Sequence, residues 1–125
     1  MRHSPPRPAS KLGLALLTAV LVASAALASR PVFAQATADD NYRLGLGHYK
    51  QKRWPLAAEH LRAYIKVRPK GSKTASARLL LGVSLTHLKK YTEARVELRR
   101  FTADFPKDPN RPEALFRIAE CSYLL

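Results

Sequence analysis

The sequence predicts an all-α fold: antiparallel helix hairpins stacked as an α-solenoid of about two and a half units. Three observations carry this prediction. Leu44-Gly45, Ala57 and Pro69 recur as Leu81-Gly82, Ala94 and Pro106, every element displaced by the same 37 residues. Trp54 and Leu61 recur at that lag as Tyr91 and Leu98, and Ile118-Ala119 falls one further lag after Leu81-Gly82. Apolar residues follow helical spacing through the repeats, with no strand-like alternation. A period of a few tens of residues marks stacked supersecondary units rather than one closed globule.

Residues 1–36 read as an export signal ahead of the array. Arg2, Arg7 and Lys11 form a positive n-region, and an uncharged stretch rich in Leu, Ala and Val runs from Leu12 to Ala28. Ala34-Gln35-Ala36 fits the small-residue cleavage pattern, and Val32-Phe33-Ala34 offers a cut two residues earlier. An uncleaved anchor is the rival reading. The 17-residue run would span about 26 Å as a helix, short of a hydrocarbon core of about 30 Å. Both readings place the repeats outside the cytoplasm, in a bacterial periplasm.

The first unit, residues 38–71, opens with a helix from Asp39 to about Gln51, carrying Tyr42, Gly45, Leu46 and Tyr49 at helical intervals. Lys52-Arg53 breaks it. Pro55 then suits the first turn of a second helix, where its missing N–H has no partner to lose. Ala57, Ala58, Leu61, Tyr64, Ile65 and Val67 give that helix one apolar stripe, which Pro69 and Gly71 end.

The second unit, residues 75–108, repeats the arrangement. Ser72 or Thr74 is positioned to cap a helix whose inner residues are Ala77, Leu81, Val83, Ser84 and Leu85. Lys89-Lys90 turn the chain, and Tyr91, Ala94, Leu98 and Phe101 line a helix running to Pro106. A turn through Asp108 leads to Pro112, which starts an incomplete third unit over 112–125. Its last residues, Cys121 to Leu125, carry no charge. Leu124 and Leu125 are therefore expected to receive a further helix or to support self-association. Cys121, the single cysteine, makes no internal bridge and reads as a small core residue.

The small residues have a steric logic. Two helix axes approach to about 8–10 Å only where the contact side chains are small. A helical glycine costs about 1 kcal/mol relative to alanine, so Gly45 and Gly82 mark close approach within each hairpin. Trp54, Leu61, Tyr91 and Leu98 are expected to fill the space between hairpins.

These residues resemble the tetratricopeptide repeat, whose pattern is W-x2-L-G-x2-Y, then A-x3-F, then P. The first unit reads Asn41-x2-Leu44-Gly45-x2-His48, then Ala57-x3-Leu61, then Pro69. The second reads Arg78-x2-Leu81-Gly82-x2-Leu85, then Ala94-x3-Leu98, then Pro106. The opening Trp is absent from both, and the period exceeds the usual 34 residues by residues placed after Pro69. The linker Phe105-Pro106-x-Asp108 leading into Pro112-Glu-Ala-Leu115 is similar to that of bacterial envelope repeat proteins. Two such families are the periplasmic coordinator of the Tol-Pal system and the lipoprotein of the outer-membrane β-barrel assembly machine. The resemblance implies a periplasmic adaptor without chemistry of its own. No lipid-attachment Cys and no heptad segment precedes the repeats, which departs from each in turn.

Composition and motifs are consistent with a binding protein rather than an enzyme. The chain has no Gly-rich phosphate loop, no metal-spaced Cys or His pair and no recognisable nucleophile set. His48, His60 and His87 fall on three different helices. Glu93 and Glu97, at i and i+4 among Arg95, Arg99 and Arg100, read as surface ion-pairing residues. No cofactor or metal is expected. From Thr37 onward there are 18 basic and 9 acidic residues, a net charge of about +9. Behind an export signal, acidic proteins, anionic lipid headgroups or cell-wall polymers rank above nucleic acid as targets, but the basic residues fall mostly between apolar helix positions and read first as a solvated outer face. A membrane is met only through the N-terminal segment, and only if that segment is uncleaved.

The resemblance implies that the first helix of each unit lines a concave groove. By alignment that groove presents Tyr42, Arg43, Leu46, Tyr49 and Lys50, then Leu79, Leu80, Val83, Thr86 and His87, then Phe116, Arg117 and Glu120. This mixture suits a peptide or helix carrying an acidic residue. Two other readings stay open: these repeats are the N-terminal part of a longer structural solenoid, or the basic surface binds anionic polymers.

Overall fold

Five helices in chain order form the array in a computed structural model that describes residues 2–4 and 37–125. Residues 37–50 are helical (α1), followed by α2 (Trp54–Val67), α3 (Thr74–His87), α4 (Tyr91–Asp104) and α5 (Arg111–Tyr123). The described residues contain no strand. The expected cleavage sites at Ala34 and Ala36 lie outside the described residues. None of the described helices is long and apolar enough to cross a membrane.

Proline sets two of the helix starts, with Pro55 and Pro112 in the first turns of α2 and α5. The turn inside each hairpin repeats at the backbone level. Lys52 and Lys89 both adopt the left-handed region, with φ of 56° and 60°. Around them Arg53 N–H donates to His48 O and Lys90 N–H to Leu85 O, both at 2.9 Å. Lys52 and Lys89 themselves donate to Tyr49 O and Thr86 O, both at 3.0 Å. This is the Schellman ending, which satisfies orphan helix carbonyls and ordinarily uses glycine at the left-handed position.

The cap expected for α3 is not made. Lys73 occupies the N-cap position and no side chain caps it. The Thr74 hydroxyl instead donates to Arg68 O at 2.6 Å, tying the end of α2 to the start of α3. Thr74 is fully buried, so its hydroxyl needs a partner within the protein. The turn before α5 is held by Asp108, whose Oδ1 accepts from Asn110 N–H at 2.8 Å.

Each hairpin closes on its glycine. A Cβ built on Gly45 would stand 2.8 Å from Leu61 Cγ, and one on Gly82 would stand 2.6 Å from Leu98 Cγ. Leu61 and Leu98 therefore pack across the helix pair within their own hairpins, a correction to the expectation that they fill the space between hairpins. The glycine creates a hole and the leucine fills it. Trp54 does bridge the hairpins, as expected. Its ring stacks on His87 of α3 with centroids 4.0 Å apart and an interplanar angle of 6°.

The helices form two rows. Tyr42 of α1 reaches Ser76 of α3 at 3.0 Å, and Thr86 of α3 reaches Cys121 of α5 at 3.4 Å. Arg62 of α2 reaches Glu93 of α4 at 3.0 Å. The core runs between the rows, with Leu61, Tyr64, Leu81, Leu85, Leu98, Phe101 and Cys121 removed from solvent. Each such large apolar side chain contributes about 1.5–3 kcal/mol.

Candidate functional site

The row α1, α3 and α5 brings the expected groove residues onto one side of the array, with differing access. Tyr42 is half-buried and anchored from three directions. Its hydroxyl shares a hydrogen bond with Ser76, its ring lies 5.3 Å from Tyr64, and Lys73 Nζ stands 5.2 Å from its centroid. A cleft of about 370 Å³ opens here, lined by Asp39, Asp40, Tyr42, Arg43, Leu46 and Lys73. Arg43 faces solvent and pairs with Asp40 at 2.8 Å.

Tyr49 begins an aromatic ladder across the first three helices. It meets Trp54 edge-on at 5.4 Å, and Trp54 in turn stacks on His87. Burial pushes the Tyr49 phenol above its ordinary value, the Arg117 charge pulls it partly back, and Glu113 raises it further. α1 and α5 are thus close enough to feel each other's charges. Tyr49 stays a neutral phenol at physiological pH, able both to donate and to accept.

Arg117 is held by two carboxylates, donating to Glu113 at 2.9 Å and to Glu120 at 3.1 Å. Burial works against its cation, but the hydrogen bonds and charges of Glu113 and Glu120 outweigh it, and the guanidinium pKa is raised. Phe116, which is 64% exposed, lies beside it, with the guanidinium 6.0 Å from the ring.

Other expected residues offer less surface. Leu79, Val83 and Thr86 are buried and Leu80 is half-buried. The Thr86 hydroxyl is spent on Gly82 O at 2.9 Å. These residues pack the middle of the array, while Arg43, Lys50, His87 and Phe116 are exposed. Lys73, Trp54 and Ser76 complete this side and were not among the aligned groove positions. Lys73 and Ser76 lie at the start of α3, which the alignment of groove positions does not reach. A second cleft, of about 590 Å³, was also not foreseen. It lies between α2 and the end of α3, lined by Pro55, Ala58, Arg62, Lys66, Leu85 and Leu88 among others. Ala58 was its one sequence signal, because the counterpart 37 residues later is the bulky Arg95.

Of the ion pairs expected for Glu93 and Glu97 on their own helix, one is made, Glu97 with Arg100, and the others go to neighbouring helices. Glu93 reaches Arg62, and Glu97 reaches Arg78 at 3.0 Å and Arg100 at 3.3 Å. Arg95 and Arg99 take no part: Glu93 turns to α2, and Glu97 is shared between Arg78 of α3 and Arg100 of its own helix. All six ion pairs among the described residues use arginine, which leaves every described lysine outside an ion pair. The described residues hold no group of three metal-ligating side chains. His48 and His60 stack at 5.5 Å on adjacent helices, and His60 Nδ1 bonds to Asn41 Oδ1 at 2.9 Å.

The family profile for the tetratricopeptide repeat matches residues 42–109, more than half of the chain. The chain belongs to the tetratricopeptide repeat family. No curated protein matches it. Tetratricopeptide repeats serve as protein–protein interaction scaffolds, and the helix rows here are of that kind. The matched stretch covers most of the first two tetratricopeptide units. α5 lies beyond it and joins the array through the 37-residue lag and its packing on α4 and α3.

Proposed function

We propose that the protein is an exported adaptor of the bacterial cell envelope that seats an acidic peptide or helix on the α1, α3 and α5 face. One observation supports this most. The face sets the aromatic ladder Tyr49–Trp54–His87 next to Lys50 and, further along the same row, Tyr42 under Lys73, two cations that form no ion pair among the described residues. Aromatic rings supply area and the lysines supply sign, a pairing suited to an amphipathic acidic ligand. The export signal and the linker into Pro112 support the envelope setting.

The excess of unpaired lysines also favours a second reading, in which the surface binds anionic cell-wall or lipid polymers. One titration separates the two. A fluorescent acidic peptide carrying aliphatic residues is added to the full chain at low and at physiological salt. Binding that persists at physiological salt and is lost in Tyr49→Ala and Lys50→Glu supports the groove. Binding that collapses with salt and ignores Tyr49→Ala supports the polymer reading, because screening weakens charge contacts far more than apolar ones.

A further inference from the structure

α2 and α4 both pack on α3, and the Arg62–Glu93 ion pair at 3.0 Å crosses between them. The cleft of about 590 Å³ opens beside that bridge. Its size falls within the roughly 300–1,000 Å³ of small-molecule sites. Leu85 and Ala58, 1% and 4% exposed, form its floor, with Ala63 and Leu88 half-buried around them. The space follows from a small residue. Where α2 has Ala58, α4 has Arg95 one repeat later, half-buried.

The rim of this cleft is charged and its interior is not. Arg62 and Lys66 stand one turn apart on α2, Glu59 lies one turn before Arg62, and Lys90 borders the cleft after Leu88. Glu59, Lys66 and Lys90 form no ion pair among the described residues. Arg62 gives one N–H to Glu93 and keeps other donors on its guanidinium. The neighbouring cleft of about 300 Å³ shares Arg62 and Leu85, but its Glu93, Glu97 and Arg100 are all paired. No hydroxyl or amide side chain lines the larger cleft. A peptide laid there brings backbone N–H and C=O groups that find no neutral side-chain partner, and burying such groups unpaired is unfavourable. An aliphatic chain brings none.

We propose that this cleft binds a free aliphatic carboxylate, its chain on Ala58, Ala63, Leu85 and Leu88 and its head at Arg62 and Lys66. Two cations on successive turns of α2 supply charge-assisted hydrogen bonds to the head. Glu59, on the turn before them, repels a carboxylate from the Pro55 end and so fixes the direction of the chain. The methylenes displace water from the apolar floor, which is the favourable term for the tail. The site lies on the row of α2 and α4, whereas the proposed peptide face is built on α1, α3 and α5. The two share no side chain, and neither proposal rests on the other.

The test titrates the full chain by calorimetry with dodecanoate below its micellar concentration. One molecule bound per chain is expected, with no binding of acetate or of dodecyltrimethylammonium. Ala58→Arg is expected to weaken binding about ten-fold or more, equivalent to about two buried methylenes, even though it adds a positive charge. Ala63→Arg fills the cleft from a second position and has the same effect. Lys66→Glu weakens binding several-fold, and Glu59→Gln tightens it. Arg99→Glu, an exposed charge on α4 outside the cleft, leaves it unchanged. Unchanged circular dichroism establishes that the variants fold. No binding, equal binding of the dodecyl cation, or equal binding by both alanine variants would each overturn the proposal. So would uptake of many molecules per chain with loss of helix, or a loss in Lys90→Glu without one in Lys66→Glu. Co-sedimentation with phosphatidylglycerol vesicles that Ala58→Arg abolishes, while free dodecanoate stays unbound, would give the cleft to a membrane surface and also overturn it.

Discussion

Leu98 sits in a hole left by Gly82, its Cγ 2.6 Å from where a β-carbon on residue 82 would stand. Both residues are buried, so neither has room to move aside. Gly82→Leu is therefore expected to destabilise the fold by about 3 kcal/mol, in the range of overpacked cores. Arg99→Ala, at an exposed position, is expected to cost under about 0.5 kcal/mol. Thermal melting of the two variants beside the parent checks this, and equal melting temperatures for parent and Gly82→Leu would contradict it.

Lys52 and Lys89 occupy the left-handed region at equivalent turns, a conformation that costs an L-residue about 1–2 kcal/mol and glycine far less. Lys52→Gly and Lys89→Gly are each expected to raise stability by about 0.5–1 kcal/mol after the added entropy of the unfolded glycine is counted. Urea denaturation of the single and double variants measures this. Lys→Ala at the same positions serves as the control for lost charge.

Glu97 is the carboxylate on α4 whose loss costs most. Its bridge to Arg78 is shielded, with side chains 17% and 10% exposed, whereas both partners of the Glu93–Arg62 bridge are 54% exposed. Glu97→Ala leaves Arg78 buried without a counter-charge and is expected to cost about 3 kcal/mol. Glu93→Ala is expected to cost at most about 1 kcal/mol. The double change Arg78→Met with Glu97→Leu should recover much of the loss, because the uncompensated charge is gone.

Alkaline stability depends on Tyr49. The fold holds this phenol above its ordinary 10.0, chiefly by burial, so the neutral form is favoured in the folded state. That contribution is complete below pH 10.0 and is lost as pH rises through the raised value. Tyr49→Phe is expected to flatten the fall in melting temperature above that pH. Phenolate absorbance of the parent should show one tyrosine titrating late.

Export is tested by N-terminal sequencing of protein recovered from a bacterial envelope fraction. The mature chain is expected to begin after Ala36, or after Ala34 as the second site. An intact Met1 in the membrane would assign residues 12–28 to an anchor.

The parts of the fold that were legible in the sequence are those fixed by local sterics. Pro55 and Pro112 mark helix starts because proline loses nothing there, and Gly45 and Gly82 mark contacts because nothing larger fits. Contacts among long polar side chains were not legible. Glu93 has Arg95 two residues away on its own helix, yet it reaches Arg62 of α2, a choice set by tertiary placement. Thr74 looked like a cap and became a tether, because burial directed its hydroxyl to Arg68 O. The groove was half legible. Transferring positions from α1 to α3 treats the two helices as equivalent, but α3 packs against α2, α4 and α5. Val83 and Thr86 are thereby covered, while Arg43 and Lys50 keep their access to solvent.

Trp54 is the only tryptophan in the chain, and its indole lies flat on His87 across the joint between the two hairpins. Its fluorescence therefore reports that joint, whereas far-ultraviolet dichroism reports helix content over the whole array. In a linear array each unit leans only on its neighbours, so units and joints need not melt together. Coincident optical transitions would describe a single cooperative block. An emission change that precedes the loss of dichroism would describe hairpins that part before they unwind, with the imidazole–indole stack as the seam that opens.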